Sequence, residues 1–391
     1  MKNKYHYFDY AATTPVDPRV LKAMQPYFSD KFANTMSLHS MGQEAKFAVE
    51  ESRQVFAKAL NCLPEEIFFT SSATESNNTV LKGIALANKS RGNHIIISSI
   101  EHSCIIESAK CLESQDFKVT RLKIDKFGMI DPEDVRQAIT DKTILISVIH
   151  ASNEIGAIEP IAEIGRVCKE RGVCFHTDAS QSFGKIAIDV KKTNIDLLTA
   201  SSHKMYGPKG VGLLYIRKGI AISPLLSGGG QERGLRSSTV NVSGIVGFAK
   251  ATEICLKEMK KESRRLIKLR DRIIKTILKT VPNSYLNGHP LKRLPNNVNL
   301  RFDFIEGEAL VIMLDNLGIE ASTGSACSSV KLEPSHVLIA LGLKPQEAHG
   351  SLRLSLGRET TQREVDYLLK NLPEVVERLR KISPFKAPNG F

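Results

Sequence analysis

Midway, the chain reads Ser201-Ser202-His203-Lys204-Met205-Tyr206-Gly207-Pro208-Lys209-Gly210, one residue after the apolar run Ile195–Thr199. Lys204 therefore lies just past a predicted buried strand, inside a turn of small and polar residues. A lysine is rarely buried without a partner, and a desolvated lysine amine loses its charge and becomes a nucleophile or base. A surface lysine in a turn is the competing interpretation, which Ser201 and His203 weaken because their side chains suit a phosphate. The stretch predicts a reactive lysine at the carboxyl edge of a sheet.

A second motif, His176-Thr177-Asp178-Ala179-Ser180-Gln181, places an aspartate at the end of another apolar run. Taken alone, Asp178 could be a buried salt-bridge partner. Together with Lys204 it indicates pyridoxal phosphate, which needs a lysine to bond its aldehyde and a carboxylate to keep its ring nitrogen protonated. Gln181, one turn further on, could reach the phenolic oxygen of that ring.

A third motif, Ser322-Thr323-Gly324-Ser325-Ala326-Cys327-Ser328-Ser329, carries a cysteine on a loop of small residues. A free cysteine has a pKa of about 8.5, so only a minority is thiolate at neutral pH unless the site lowers that pKa. The reactive lysine, the aspartate and the loop cysteine together outline an enzyme that takes sulfur from an amino acid.

Further polar residues stand at the predicted strand ends. The stretch Phe68–Asn78 passes from a strand into a helix whose first residues could hold a phosphate, although ordinary N-capping explains it equally well. His102 could stack on a planar ring or be structural, and Asn153 could be a simple turn residue. In Ser351–Leu356 the period of two separates Arg353 from three leucines, which suits a carboxylate grip or a surface ion pair.

The pattern of strands and helices predicts an α/β fold with a large, mostly parallel sheet flanked by helices and a smaller α/β C-terminal domain. We place the large domain at residues 15–255 and the small domain at 1–14 and 256–391. The predicted strands are Ile67–Thr70, His94–Ser98, Ile144–Ile149, Val173–Thr177, Asp196–Ala200, Val211–Ile216, Asn297–Phe302 and Leu352–Leu356. The predicted helices include Gly42–Leu60, Ser76–Lys89, Ile161–Arg171 and Gln362–Leu379.

Composition indicates a soluble cytoplasmic protein. The 391 residues include seven cysteines without zinc or disulfide spacing, and no apolar run is long enough to cross a membrane. The formal net charge is +12, with much of the excess between Lys257 and Lys279, where leucine and isoleucine recur at helical spacing. A helix with a solvated basic face is the favoured interpretation, and a patch for an acidic protein or RNA is the alternative. We expect no direct nucleic-acid binding, because no such motif is present.

The chain resembles the cysteine desulfurases of the IscS/NifS family, within the class-V aminotransferase family and the aspartate-aminotransferase fold of pyridoxal-phosphate enzymes (fold type I). The resemblance runs from Phe8-Asp9-Tyr10-Ala11-Ala12-Thr13-Thr14-Pro15 to Ser355-Leu356-Gly357-Arg358. Its specific part is the order of three motifs: HTDASQ, SSHKMYGPKG and GSACSS.

The resemblance implies a role for each candidate residue. Lys204 carries the cofactor, Asp178 pairs with its ring nitrogen, Gln181 bonds its hydroxyl and His102 stacks on the ring. Asn153 and Arg353 bind the substrate carboxylate, with Asn34 as a further substrate contact, and Asn153 also contacts the cofactor. Cys327 receives the sulfur, so that the implied catalytic residues are Lys204, His102 and Cys327. The residues expected to hold the cofactor phosphate are Ala73, Thr74, Ser201, His203 and, from the other subunit of a homodimer, Thr239.

The resemblance also implies partners. They are L-cysteine as substrate and either an iron–sulfur scaffold protein or a tRNA-thiolation protein as sulfur acceptor, with no resident metal, although Cys327 could transiently share a cluster iron with a scaffold. The loop Ala33-Asn34-Thr35-Met36-Ser37 departs from the Gly-Asn-Pro-Ser-Ser usual in the family, and the tail stops soon after Ser383. Rival functions are a selenocysteine lyase, an aminotransferase, a non-catalytic scaffold and an RNA-binding protein. The site residues argue against the last three.

Overall fold

The computed structural model describes residues 5–324 and 334–384. The strands in these ranges are β1 (His6–Tyr7), β2 (Ile67–Thr70), β3 (His94–Ser98), β4 (Lys118–Leu122), β5 (Thr143–Ser147), β6 (Cys174–Asp178), β7 (Leu197–Ser201), β8 (Gly212–Ile216), β9 (Ser284–Leu286), β10 (Asn297–Phe302), β11 (Ile319–Glu320) and β12 (Ser351–Ser355). The α-helices are α1 (Pro18–Met24), α2 (Pro26–Ser29), α3 (Ser40–Leu60), α4 (Ala73–Asn88), α5 (Ser103–Glu113), α6 (Pro132–Ala138), α7 (Ile161–Arg171), α8 (Val242–Thr280), α9 (Gly307–Asp315), α10 (His336–Ala340), α11 (Pro345–His349) and α12 (Gln362–Ile382).

A seven-stranded sheet forms the centre of the larger unit, in the order β2-β8-β7-β6-β5-β3-β4. Only β8 runs antiparallel to its neighbours. Ile96 belongs to one buried apolar cluster and Ile95 and Ile97 to another, so the two clusters cover opposite faces because side chains alternate along a strand. Helix α3 packs on the first face and α4 on the second. The predicted α/β fold with a mostly parallel sheet is confirmed.

Most element boundaries agree with the prediction to within a few residues, and two differences matter. The sequence analysis missed β4, which is an edge strand with only Leu122 buried and therefore lacks an apolar run. Helix α4 begins at Ala73 rather than Ser76, because the Ser72 hydroxyl accepts a hydrogen bond from the backbone N–H of Glu75 at 3.1 Å and caps the first turn.

A smaller unit is built on the antiparallel sheet β12-β10-β9 and the parallel pair β1-β11. Phe8 packs there with residues of the C-terminal third, in a buried cluster that includes Leu310 and Leu354. Helix α8 joins the two units, since Phe248 lies in the core of the larger unit and Ile273 in that of the smaller. The division into residues 15–255 and 1–14 with 256–391 stays a prediction, and its second boundary falls inside this continuous helix.

The basic stretch predicted to be amphipathic forms the second half of α8. Leu266, Leu269, Ile273 and Ile277 are buried along one side, as their spacing predicted. Within residues 5–324 and 334–384, no helix is both long enough and apolar enough to cross a membrane.

Candidate active site

Four neighbouring parallel strands bring four predicted site residues to one edge of the large sheet. Asp178 is the last residue of β6, and Lys204 ends the short turn that follows β7. Asn153 and His102 follow β5 and β3. Ligands bind at the carboxyl ends of the strands in open α/β sheets, and these four residues line one cavity of about 430 Å³ at that edge.

The turn that carries Lys204 is fixed by a glycine and by the N-terminal segment. A Cβ atom at position 207 would overlap the Ser202 hydroxyl, so only glycine fits there. Thr14 donates from its backbone and side chain to the carbonyl of His203, at 2.9 and 3.0 Å. The amine of Lys204 donates to the carbonyl oxygens of Ala11 and Ala12 at 2.6 and 2.7 Å. The lysine is therefore held at the cavity by residues almost two hundred positions earlier.

The Asp178 carboxylate is buried and receives hydrogen bonds from two uncharged donors. Asn77 donates from Nδ2 to Oδ2 at 2.7 Å, and the backbone N–H of Ser180 donates to Oδ1 at 2.8 Å. Hydrogen bonds to the charged form favour a carboxylate over the neutral acid. An ionised carboxylate with lone pairs to spare suits a protonated ring nitrogen.

His102 caps the N-terminus of α5. Its Nδ1 atom accepts a hydrogen bond from the backbone N–H of Cys104 at 3.2 Å and lies 3.1 Å from the Cys104 sulfur. Burial lowers the pKa of His102, with Asp178 opposing that shift. The ring is accordingly a neutral imidazole, which can lie against an aromatic ring or pass a proton.

One end of the cavity suits a phosphate. Ala73 and Thr74 open helix α4, whose free N–H groups and dipole favour an anion. Ser201 ends β7 and His203 directly precedes Lys204 in the turn that follows this strand, and both line the cavity. Burial and the charge of Lys204 lower the pKa of His203 to about 4, so its ring is neutral at neutral pH.

Arg353 offers a cation at the other end of the cavity. It is buried and paired with Asp9 at 2.8 Å, which rules out a surface ion pair. Its guanidinium also donates to the carbonyls of Asn153 and Gly324 at 3.1 Å, while Nε has no partner among the described residues. A buried arginine with an unused donor suits a substrate carboxylate.

Of the remaining predicted residues, Asn34 and Thr239 are not brought to this cavity. Asn34 is exposed and its side chain accepts from the backbone of Met36 at 2.9 Å. Thr239 is also exposed and does not line the cavity of its own chain. Cys327 lies outside the described residues, but Gly324 and His336, which flank that segment, both line the cavity. Gln181 does line it, with its amide donating to Ala11 at 2.9 Å.

Sequence reasoning missed several residues of the cavity wall. Asn77 follows Thr74 by three positions, and helical spacing from the predicted phosphate turn could have placed it on the same face. Cys104 follows His102 by two positions in the first turn of α5. His336 and Glu154 carried no signal, because their place depends on contacts between distant segments.

Pyridoxal phosphate fits this donor set. The cavity lining offers the amine of Lys204, the carboxylate of Asp178 and the imidazole of His102, which would serve the aldehyde, the ring nitrogen and the ring face. The N-terminus of α4, the hydroxyl of Ser201 and the imidazole of His203 would serve the phosphate. Among the described residues, no group of three or more histidine, cysteine, aspartate or glutamate side chains is arranged to hold a metal ion.

Fold and site together define the class of protein: the chain belongs to the class-V aminotransferase family, whose model, described as "Aminotransferase class-V", matches residues 6–368. Its curated relatives narrow that class to the cysteine desulfurases, as the resemblance predicted. "Cysteine desulfurase IscS" of Methanosarcina thermophila is 53% identical over 98% of this chain and 95% of its own length. "Cysteine desulfurase IscS 1" of Archaeoglobus fulgidus is 53% identical over 97% and 98%.

Solved structures agree with these relatives. A chain titled "NIFS-LIKE PROTEIN" superposes with a TM-score of 0.90 at 39% identity, covering 96% of this chain and all 100% of its own. Another, titled "SspA in complex with cysteine", has a TM-score of 0.80 at 39% identity, covering 90% of this chain and 98% of its own.

Proposed function

We propose that the protein is a pyridoxal-phosphate-dependent cysteine desulfurase, which converts L-cysteine to L-alanine and moves the sulfur onto Cys327. One observation carries the proposal: Lys204, Asp178 and Arg353 line a single cavity. Gly324 and His336, which lie in the sequence on either side of Cys327, line the same cavity. The names of the curated relatives and the cysteine complex of a structural neighbour support the same reaction.

Each residue of the cavity then has a task toward the cofactor. Lys204 bonds the aldehyde, Asp178 faces the ring nitrogen, His102 lies against the ring and Gln181 meets the ring hydroxyl. When bound, pyridoxal phosphate supplies an electron sink for the bonding electrons released at the substrate α-carbon. Asp178 keeps that sink effective, because its ionised carboxylate favours a proton on the ring nitrogen. The phosphate is held by Ala73, Thr74, Ser201, His203 and the partner subunit's Thr239.

The substrate is held and deprotonated by residues of the same wall. Arg353, assisted by Asn153, binds the carboxylate of cysteine and orients its α-proton toward Lys204. The free amine of Lys204 would take that proton, and in this structure the amine donates to the backbone carbonyls of Ala11 and Ala12.

Sulfur transfer requires a thiolate at Cys327. Its sulfur attacks the substrate sulfur, so an S–S bond forms as the substrate C–S bond breaks. The electron pair of the broken bond stays with the carbon fragment, which takes one proton at Cβ, regains the α-proton from Lys204 and leaves as alanine. The enzyme retains a persulfide, and one cysteine gives one alanine and one bound sulfur.

The persulfide needs an acceptor, and an iron–sulfur scaffold protein or a tRNA-thiolation protein is the proposed recipient. No resident metal is needed, although Cys327 could share a cluster iron with a scaffold while sulfur is passed on. The cytoplasmic location stays a prediction.

Replacing Asp178 by asparagine should lower alanine formation by about 10²-fold or more, because the ring nitrogen loses its negative partner. The new amide would also point an N–H at one of the donors Asn77 and Ser180, which should cost about 1–3 kcal/mol of stability. Alanine produced per bound cofactor is the measurement.

Asp196→Asn is the matched control for this prediction. Asp196 is a largely buried carboxylate that accepts from the backbone of Phe175 at 2.9 Å near the opposite end of the sheet, outside the cavity wall. The Asp196→Asn variant should be less stable than wild type but should form alanine at the wild-type rate. Near-normal turnover in Asp178→Asn would make Asp178 a structural residue only.

A homodimer is proposed because both exposed candidates need a second chain. Asn34 and Thr239 lie away from the cavity of their own chain, and Thr239 is exposed. Large apolar side chains are also exposed around Asn34, among them Phe32 at 66% and Leu38 at 93%. Exposed apolar residues concentrated in one segment are typical of an interface.

Thr239→Val should weaken cofactor binding by roughly 10-fold, because a hydroxyl hydrogen bond to a charged group is lost while the shape is kept. Ser238→Ala, at the neighbouring exposed residue, should bind the cofactor normally. Cofactor dissociation constants and sedimentation velocity test this pair. A fully active monomer, or equal affinity in both variants, would contradict the shared site.

A further inference from the structure

Two side chains that no step above uses lie between the ring-facing groups Asp178 and His102. Asn77, on α4, is fully buried and places Nδ2 at 2.7 Å from Asp178 Oδ2 and 3.2 Å from the sulfur of Cys104. Cys104, on α5, places that sulfur 3.1 Å from Nδ1 of His102. The four side chains form a continuous chain of contacts along one wall of the cavity.

The direction of each hydrogen bond in this chain is determined by its chemistry. Asn77 must turn its NH₂ group toward Asp178, because its carbonyl oxygen there would face a carboxylate oxygen. Its second N–H then points to the Cys104 sulfur. The Asn77 carbonyl oxygen has no partner among the described residues, and a buried polar atom without a partner is destabilising. We infer that the two hydrogen bonds donated by the NH₂ group are the reason for this orientation.

The same reasoning fixes the imidazole. The backbone N–H of Cys104 can only donate, so Nδ1 of His102 must carry the lone pair. The Cys104 thiol can act toward Nδ1 only as a second donor that shares this lone pair with the backbone N–H. The thiol keeps its proton because burial and the charge of Asp178 raise the pKa of Cys104 to about 12. The proton of the neutral ring is left on Nε2.

We propose that Asn77 and Cys104 are positioning residues, which couple the Asp178 carboxylate to the His102 imidazole and hold that imidazole as the neutral Nε2–H tautomer. This proposal rests on the proposed function in one respect, which is that Asp178 and His102 contact the same cofactor. Asn77 donates to both Asp178 and Cys104, so a substitution at this residue should affect the Asp178 carboxylate and the His102 imidazole together.

The test is ¹⁵N NMR of the histidine rings in the cofactor-loaded protein, with His102 assigned by its loss in His102→Gln. Wild type should show the Nε2–H tautomer. Cys104→Ala should raise the pKa of His102 by about half to one pH unit, because a hydrogen bond to the neutral form is lost. Cys104→Ser, which keeps a donor, should restore most of the wild-type titration. Cys111→Ala, on the same helix and outside the cavity, should match wild type.

Asn77→Leu should raise the pKa of His102 as well, because the thiol loses the N–H that fixes its direction, and Asn78→Ala should not. An Nδ1–H tautomer in wild type, or one titration shared by all variants, would overturn the proposal. The NMR signal reports the imidazole itself, so it stands or falls independently of whether sulfur is released from cysteine.

Discussion

Lys204→Ala should lose alanine formation by about 10⁴-fold or more, because one change removes both the covalent attachment of the cofactor and the base at the α-carbon. In wild type, borohydride should bleach the cofactor's absorption band and fix the cofactor to the peptide that contains Lys204. In the variant no lysine peptide should be labelled. Peptide mapping by mass spectrometry after reduction checks both results.

Lys209→Ala is the matched control, since Lys209 lies in the same turn but is exposed and outside the cavity wall. Its labelling and turnover should be those of wild type. A colourless wild-type protein, or a label on Lys209 or on the buried Lys185, would remove Lys204 from its assigned role.

The large sheet and half of the site could be predicted because the sequence patterns that indicate them are local. Lys204, Asp178, Asn153 and His102 each follow an apolar strand, and parallel strands bring their carboxyl ends to one edge whatever the rest of the chain does. The motif order was enough for the family, and the family and fold predictions are confirmed.

The rest of the site depends on contacts between distant segments. A surface ion pair was one of the two interpretations of Arg353 from the sequence. Its partner Asp9 is 344 positions away, and the Arg353 side chain in this pair is buried. The carbonyls of Ala11 and Ala12 contact Lys204 across 193 and 192 positions of the chain. Nothing in the local pattern around either segment indicates that the other lies beside it.

The chain of contacts through Asn77 and Cys104 could not be predicted for a related reason. Asp178 and His102 were predicted as site residues, but Asn77 on α4 and Cys104 on α5 give no signal in their own segments that they connect the two. Asn34 and Thr239 are different again, because a single subunit does not bring them to the cavity. The role predicted for Thr239 was assigned to the partner subunit's site from the start, whereas the role predicted for Asn34 was not.

Cys327→Ser should reduce sulfur transfer from cysteine to background while cofactor and cysteine still bind. A serine hydroxyl is a far poorer nucleophile toward sulfur and cannot hold a persulfide, whereas Lys204, Asp178 and Arg353 are unchanged. Sulfide and alanine release are the measurements, with cofactor absorbance to show that binding persists. A selenocysteine lyase would keep activity toward selenocysteine after this change, and an aminotransferase would be indifferent to it.

Cys104→Ser and Cys111→Ser are the matched controls for that variant. Both should keep persulfide formation, although Cys104 lines the same cavity and is the nearest alternative thiol among the described residues. Burial holds Cys104 protonated and so unreactive. Loss of sulfur transfer in Cys104→Ser rather than in Cys327→Ser would exchange their roles.

The central claim is that sulfur from cysteine is carried on Cys327, and mass spectrometry of the protein after one turnover with L-cysteine tests it most directly. The peptide that contains Cys327 should gain the mass of one sulfur atom, which a reductant removes, with one alanine released per sulfur. A gain on the peptide of Cys104 or Cys111, or on no peptide while alanine is formed, would contradict the account.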